Sequence, residues 1–205
     1  MKKIILASGS PRRRQLLEWA EIPFDVIIPS IDEQYPANLL PDEVATHIAF
    51  NKAMTVRQLL QQGNPNKHAY TILAADTIVV AERQNPGDAA GQVSMEIIGK
   101  PANYGEAIRI LGSLSGRLHK VITGVCILSA GKKKIFSETT EVVFHKLSLS
   151  QIEYYVQKYK PYDKAGAYAI QEWIGVIGVK SINGDFYNVM GLPVSRVVKE
   201  LETFE

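Results

Sequence analysis

The sequence predicts a mixed α/β fold, one twisted sheet with flanking helices, and three observations carry that expectation. Apolar or β-branched runs at residues 3–7 and 70–80 read as buried strands. Residues 42–62 place their apolar side chains at helical spacing. Two strand-like stretches, 120–128 and 134–144, flank Ala130-Gly131-Lys132 as the arms of a hairpin would. Helices interleaved with strands and a hairpin favour a mixed sheet over a purely parallel one.

The apolar run at 3–7 ends in Gly9 and Pro11, as a strand entering a tight turn does, and Leu16, Leu17 and Ala20 then recur at helical spacing over 15–20. Ser10 before Pro11 marks the start of that helix: a serine oxygen accepts from free N–H groups, and proline costs no needed donor at the first helical position. A second strand is expected over 24–28. After a loop over 29–41, Val44, Ile48, Ala49, Ala53, Val56, Leu59 and Leu60 share one stripe of a long helix that Gly63-Asn64-Pro65 closes. Residues 70–80 form a central strand, apolar or β-branched around Asp76. The polar stretch 82–97 reads as a surface loop or hairpin excursion. Asn103 with Glu106 forms a cap pair for a helix ending at Leu114, Ser150 with Glu153 a capping box before a helix over 152–159, and 194–204 a final helix. No repeat or linker divides the chain, so one domain over 1–205 is expected.

With 46% hydrophobic and 21% charged residues, the chain has the composition of an ordinary globular core, which excludes disordered and fibrous classes. Twenty-three basic against 21 acidic side chains leave a net charge of +2, too little to hold nucleic acid or an anionic membrane; an anion site must be local. An RNA-binding reading of Arg12, Arg13 and Arg14 fails on the same ground. No apolar run approaches the ~18 residues of a membrane span. The four-residue apolar run before Ser8 is too short for an export signal, and Cys126, the one cysteine, sits in a strand-like context as a small buried residue. These features point to the cytoplasm. His47, His68, His119 and His145 show no metal-ligand spacing, so a zinc site is not expected and they read as surface or strand residues.

Chemistry concentrates at a few places. Ser8-Gly9-Ser10-Pro11-Arg12-Arg13 lies between a strand and a helix, where a close backbone approach, helix N–H groups and two guanidiniums suit a phosphate. On pattern alone a capped turn with solvated arginines fits equally well. The Walker pattern is absent, since Gly99-Lys100 is followed by Pro101, and Gly112-Ser113-Leu114-Ser115-Gly116 carries leucine where a nucleophile elbow needs serine. Asp76 inside an apolar strand needs a cation, a metal or hydrogen bonds to offset its desolvation; backbone donors at a strand end would also serve. Asp32 and Glu33 offer further acidic oxygens, and Lys52 and Lys100 are cations that, taken singly, read as surface lysines. Phosphoanhydride hydrolysis calls for hard oxygen ligands, cations around phosphoryl oxygens and a carboxylate to orient water, and every one of these types is present.

Taken in order, Ser8–Arg13 with Leu16-Leu17, Asn51-Lys52-Ala53, Ala75-Asp76-Thr77, Gly99-Lys100-Pro101, Asp163-Lys164-Ala165-Gly166-Ala167-Tyr168 with Ile170-Gln171, and Asn188-Val189-Met190-Gly191-Leu192-Pro193 resemble the Maf family of nucleoside triphosphate pyrophosphatases, linked by name to inhibition of septum formation. The resemblance implies an inosine-triphosphatase-like fold with a cleft between two lobes, and hydrolysis of a nucleoside triphosphate to the monophosphate and pyrophosphate with Mg²⁺ or Mn²⁺. It implies Asp76 as proton acceptor for the attacking water, Glu33 and Asp76 at the metal, Arg13, Lys52 and Lys100 around the phosphates, and Ser8 and Ser10 lining the phosphate loop. Arg12, Thr77 and Gln171 resemble the subgroup acting on dTTP and UTP rather than the one acting on 7-methyl-GTP. A homodimer is implied as well. The alternative from another class is a nucleotide-binding regulator of division with little turnover. Two departures from the family pattern stand out: a longer connection over 81–98, and Glu172-Trp173 after Gln171 where glycine is commoner.

Overall fold

The computed structural model describes residues 2–63, 70–84, 93–129 and 131–204. In chain order these form β1 (Ile4–Leu6), α1 (Pro11–Trp19), β2 (Phe24–Val26), α2 (Pro41–Gly63), β3 (Thr71–Gln84), β4 (Val93–Ile98), α3 (Tyr104–Leu114), β5 (Leu118–Ser129), β6 (Lys132–Phe144), α4 (Leu149–Tyr159), a 3-10 turn (Ala165–Ala167), α5 (Trp173–Gly178), β7 (Val179–Asn183), α6 (Phe186–Met190) and α7 (Val194–Glu202). Seven strands share one sheet in the order β2-β1-β3-β5-β6-β7, with β4 paired to β3. β1 runs parallel to both β2 and β3, whereas β3–β4 and β6–β7 are antiparallel, so the sheet is mixed as the sequence predicts. Among the described residues no helix is long and apolar enough to cross a membrane.

The chain forms two compact units. The first comprises 1–77, 123–138 and 190–205, the second 78–122 and 139–189. In the first, Ile5, Ala49, Val56, Ile72, Cys126 and Leu128 belong to one buried cluster. Ala45, Ala49 and Ala53, each fully buried, repeat every four residues along α2, which keeps one face of that helix thin enough to lie against the sheet. Gly124 on β5 takes up the contact: a β-carbon there would fall 2.2 Å from the Ala45 carbonyl carbon. Cys126 is fully buried, and burial pushes its thiol up to about 12, so it serves as a small apolar residue.

In the second unit α3 buries Ala107, Ile110, Leu111 and Leu114 as one stripe. Its cap is the one expected: Asn103 Oδ1 accepts from the Glu106 N–H at 3.0 Å, while Glu106 Oε2 accepts from the Ala102 N–H. The expected Ser150–Glu153 box is corrected to Ser148 with Gln151, whose side chains and backbone N–H groups bond reciprocally at 3.2 and 2.8 Å. The reason is tertiary: Ser115 Oγ accepts from the Leu147 N–H at 2.7 Å, which fixes the chain one residue before Ser148 and starts the helix there.

Other elements extend or add to the expectation. α1 begins at Pro11, as expected, with three arginines ahead of its apolar stripe. The 82–97 stretch is a hairpin excursion, with Val79 opposite Ile98 and Gln84 opposite Val93; residues 85–92, within it, lie outside those described. His68 also lies outside them. α5, β7 and α6, at five or six residues each, fall below the window in which periodicity can be read.

His119 lies in β5, but fully buried, its Nε2 2.8 Å from the Tyr168 hydroxyl and its ring edge-on to Phe144. Burial lowers its pKa to about 4. The folded state therefore holds the ring neutral, and the unfolded chain takes up the proton first as pH falls. Stability from this group is complete above about pH 6.5 and is lost down to about pH 4, a span worth about 3 kcal/mol. Urea titrations at pH 7 and pH 5 should show about 2 kcal/mol of that loss, and His119→Gln should flatten it; a variant with the same slope as the parent assigns the acid sensitivity elsewhere.

Candidate active site

The first unit builds its polar site at one edge of a parallel strand pair. Leu6 on β1 lies opposite Leu73 on β3, and the Ala7 N–H donates to the Leu73 carbonyl at 2.8 Å. β3 continues past the end of β1, so Asp76 and Thr77 lie beyond that register, toward the level of the turn Ser8-Gly9-Ser10. Turns at the carboxyl ends of parallel strands are where α/β sheets bind ligands.

Ser10 has extended backbone and Pro11 follows at the first helical position, as expected, but the Ser10 side chain makes no cap bond. Instead Ser8 Oγ accepts from the Ser10 N–H at 3.2 Å. Ser8 is buried, and its hydroxyl folds the turn back on itself, just before the amino end of α1. No acidic residue occupies that first turn, so the local field favours an anion.

Arg13, one turn into α1, is buried at 8% exposure. Its Nε donates to the Gly191 carbonyl at 2.8 Å, Nη1 to Ser8 Oγ at 3.0 Å, and Nη2 to Thr77 Oγ1 at 3.0 Å. Desolvation pulls the guanidinium pKa down, and the Asp76 charge opposes that pull. Gly191 sits at φ +116°, in the region that favours glycine, so the turn that aims its carbonyl at Arg13 depends on that residue type. Arg12 beside it is half-buried.

The second feature is a buried ammonium between two carboxylates. Lys52, 9% exposed on α2, places Nζ 2.6 Å from Asp76 Oδ1 and 2.7 Å from Glu33 Oε1. The surface reading of Lys52 is thereby replaced, because the cation compensates the carboxylate that β3 buries. Glu33 reaches the pair from the loop between β2 and α2 and is 42% exposed at its side chain, and Asp32 in that loop is exposed.

Ser8, Ser10, Arg12, Arg13, Glu33, Lys52, Asp76 and Thr77 all belong to the first unit; Lys100 and Gln171 belong to the second, where both are exposed. The Gly99 carbonyl next to Lys100 accepts from the Gly166 N–H at 3.2 Å, and Gly166 adopts φ +70°, with Val79 where a β-carbon would point. Gln171 precedes Glu172, whose carboxylate accepts from the Tyr155 hydroxyl and lies 3.7 Å from the buried Lys164 ammonium. Thr123, whose Oγ1 stands 2.9 Å from Thr77 Oγ1, went unnoticed in the sequence: a β-branched residue in an apolar strand carries no distinguishing signal.

Among the described residues no group of three or more His, Cys, Asp or Glu side chains is gathered for a metal. Residues 3–204 match the family model described as Maf-like protein. Proteins named dTTP/UTP pyrophosphatase are similar to the chain along nearly its whole length. The protein from Parabacteroides distasonis is 46% identical over 203 residues, covering 98% of this chain and 96% of that one. The one from Phocaeicola vulgatus is 45% identical over 201 residues, with 98% and 95% covered. The one from Bacillus cereus strain G9842 is 43% identical, with 100% and 97% covered.

Proposed function

The chain belongs to the Maf-like protein family, and from that premise we propose that it is a hydrolase converting dTTP and UTP to the nucleoside monophosphate and pyrophosphate. The observation that carries this reading is the Glu33–Lys52–Asp76 cluster in the same unit as the buried Arg13 guanidinium. A sensor needs only cations for a triphosphate; activating water needs in addition a carboxylate positioned beside them, and Asp76 is one, its desolvation offset by Lys52.

In this reading the amino end of α1, with Ser8 and Ser10 in the turn and Arg12 and Arg13 on the helix, takes the triphosphate. Lys100 is proposed as a further cation for the phosphates, and Gln171 as a reader of the pyrimidine edge through an amide that both donates and accepts. Asp76 orients a water toward the α-phosphorus and receives its proton. The water oxygen forms the new P–O bond, the bond to the bridging oxygen breaks, and pyrophosphate leaves with its charge met by the arginine and lysine donors.

The family reading brings a divalent cation, Mg²⁺ or Mn²⁺, and the residues fit one. Asp76 and Glu33 already direct two hard oxygens at a single positive charge, and such ions are commonly held by one or two carboxylates with phosphate oxygens and water completing the shell. The ion would neutralise charge on the phosphoryl oxygens. The same reading extends to one domain over 1–205, working in the cytoplasm as a homodimer.

Pyrophosphate release from dTTP, UTP, CTP, ITP and 7-methyl-GTP, with Mg²⁺ or Mn²⁺ and with chelator, tests the proposal. Preferential cleavage of dTTP and UTP is expected, stopped by chelator and restored by added metal. Cleavage of 7-methyl-GTP or ITP instead would keep the reaction and overturn the base preference. Nucleotide binding without release from any of them would leave a division regulator as the better reading.

A further inference from the structure

Arg13 has five N–H donors, and three are committed to Gly191, Ser8 and Thr77. Two remain for an anion, and their direction is set by the three acceptors. Two of those acceptors are backed by the turns that carry them: a carbonyl fixed by the left-handed Gly191, and the buried Ser8 hydroxyl. The third, Thr77 Oγ1, is a rotatable hydroxyl, and its position depends on its own neighbours.

Thr77 Oγ1 has one hydrogen and two lone pairs. It accepts from Arg13 Nη2 at 3.0 Å, lies 2.9 Å from Thr123 Oγ1, and lies 3.4 Å from the Gly191 carbonyl, to which it can only donate. One arrangement satisfies all three contacts: Thr123 donates to Thr77, and Thr77 donates to Gly191. The hydroxyl then has no capacity left for a ligand. Thr123 itself is fully buried on β5.

We propose that Thr123 is a positioning residue for the triphosphate, acting through the Thr77 hydroxyl on the Arg13 guanidinium. This rests on the pyrophosphatase reading given above and deepens it. Because the chain of contacts ends at a guanidinium aimed at phosphate, the consequence of losing Thr123 is shared by every nucleotide and does not alter the preference among bases.

The test is a double-mutant cycle on pyrophosphate release. Thr123→Val, which removes the hydroxyl and keeps the shape, should lower kcat/KM about five- to tenfold, the worth of one buried hydrogen bond, by the same factor for dTTP, UTP and CTP. Thr123→Ser should return it to within about twofold, as restoration of the hydroxyl requires. In an Arg13→Lys background Thr123→Val should add less than about a further twofold. Losses that multiply independently, a loss confined to one base, or wild-type kinetics in Thr123→Val would overturn the proposal. If Thr123→Val does not fold, Thr77→Val breaks the same contact from its half-exposed side and is read in the same cycle. A parent enzyme that releases no pyrophosphate sinks the enzyme reading alone; the cycle is then run on binding of a non-hydrolysable dTTP analogue by calorimetry, where the same coupling, or its absence, decides the role of Thr123.

Discussion

Asp76→Asn is expected to lower kcat for pyrophosphate release by about 10²- to 10³-fold, the range for losing one positioned catalytic group. The substitution keeps the shape of the side chain and an oxygen for Lys52, which also retains Glu33 at 2.7 Å. The ammonium is therefore not left buried and alone, the circumstance that makes breaking an interior ion pair so costly. What disappears is the ability to take a proton from water. Nucleotide affinity, measured by calorimetry on the inactive variant, should stay close to that of the parent, because Arg12, Arg13 and the turn at Ser8 are untouched. Turnover near the parental rate would remove Asp76 from the reaction.

Gly124→Ala is expected to destabilise the first unit by about 3 kcal/mol or more, at the upper end of what overpacking costs. The added β-carbon would lie 2.2 Å from Ala45 C, 2.3 Å from Thr46 N and 2.4 Å from Ala45 O. All three are backbone atoms of α2, so no side chain can swing aside; the helix must move or the strand must bend. Because the neighbouring Thr123 contacts Thr77, kcat/KM should fall together with stability. Gly112→Ala is the matched control: nothing lies within 4 Å of a β-carbon there, and alanine inside α3 should add about 0.5–1 kcal/mol. Urea midpoints for the two variants should move in opposite directions. A Gly124→Ala midpoint equal to the parent's would show that α2 has room to shift.

Much of this architecture could be read from the residues, and the parts that could not share a cause. β1, α2 and β3 are legible because each carries an uninterrupted apolar pattern with punctuation at its ends, and the hairpin of β5 and β6 is legible from two such patterns about a glycine. α5, β7 and α6 are not, since six residues span less than two helical turns and show no period. The two misplaced serines tell the same story at finer scale. Ser8 and Ser10, like Ser148 and Ser150, offer the same hydroxyl two residues apart, and which one bonds is decided by contacts made elsewhere in the chain, such as that of Ser115 with Leu147. The identity of the polar site residues was legible because charge inside an apolar run is costly and therefore noticeable. Their pairing was not: Lys52 on a helix stripe looks the same whether it faces water or Asp76, and Thr123 looks like any β-branched core residue.

The bond from Arg13 to Gly191 joins residues 178 apart in sequence. During synthesis the arginine precedes its acceptor by that whole span of chain. β3, β5 and β6 each begin in one compact unit and end in the other, so neither unit is a contiguous piece that could be completed early. A nascent or truncated chain lacking the final turn and α7 thus holds every polar side chain of the phosphate turn and yet has no Gly191 carbonyl to aim the guanidinium. The grip of the guanidinium is therefore assembled late: a partial chain that stops before Gly191 carries the arginine without the carbonyl that aims its Nε.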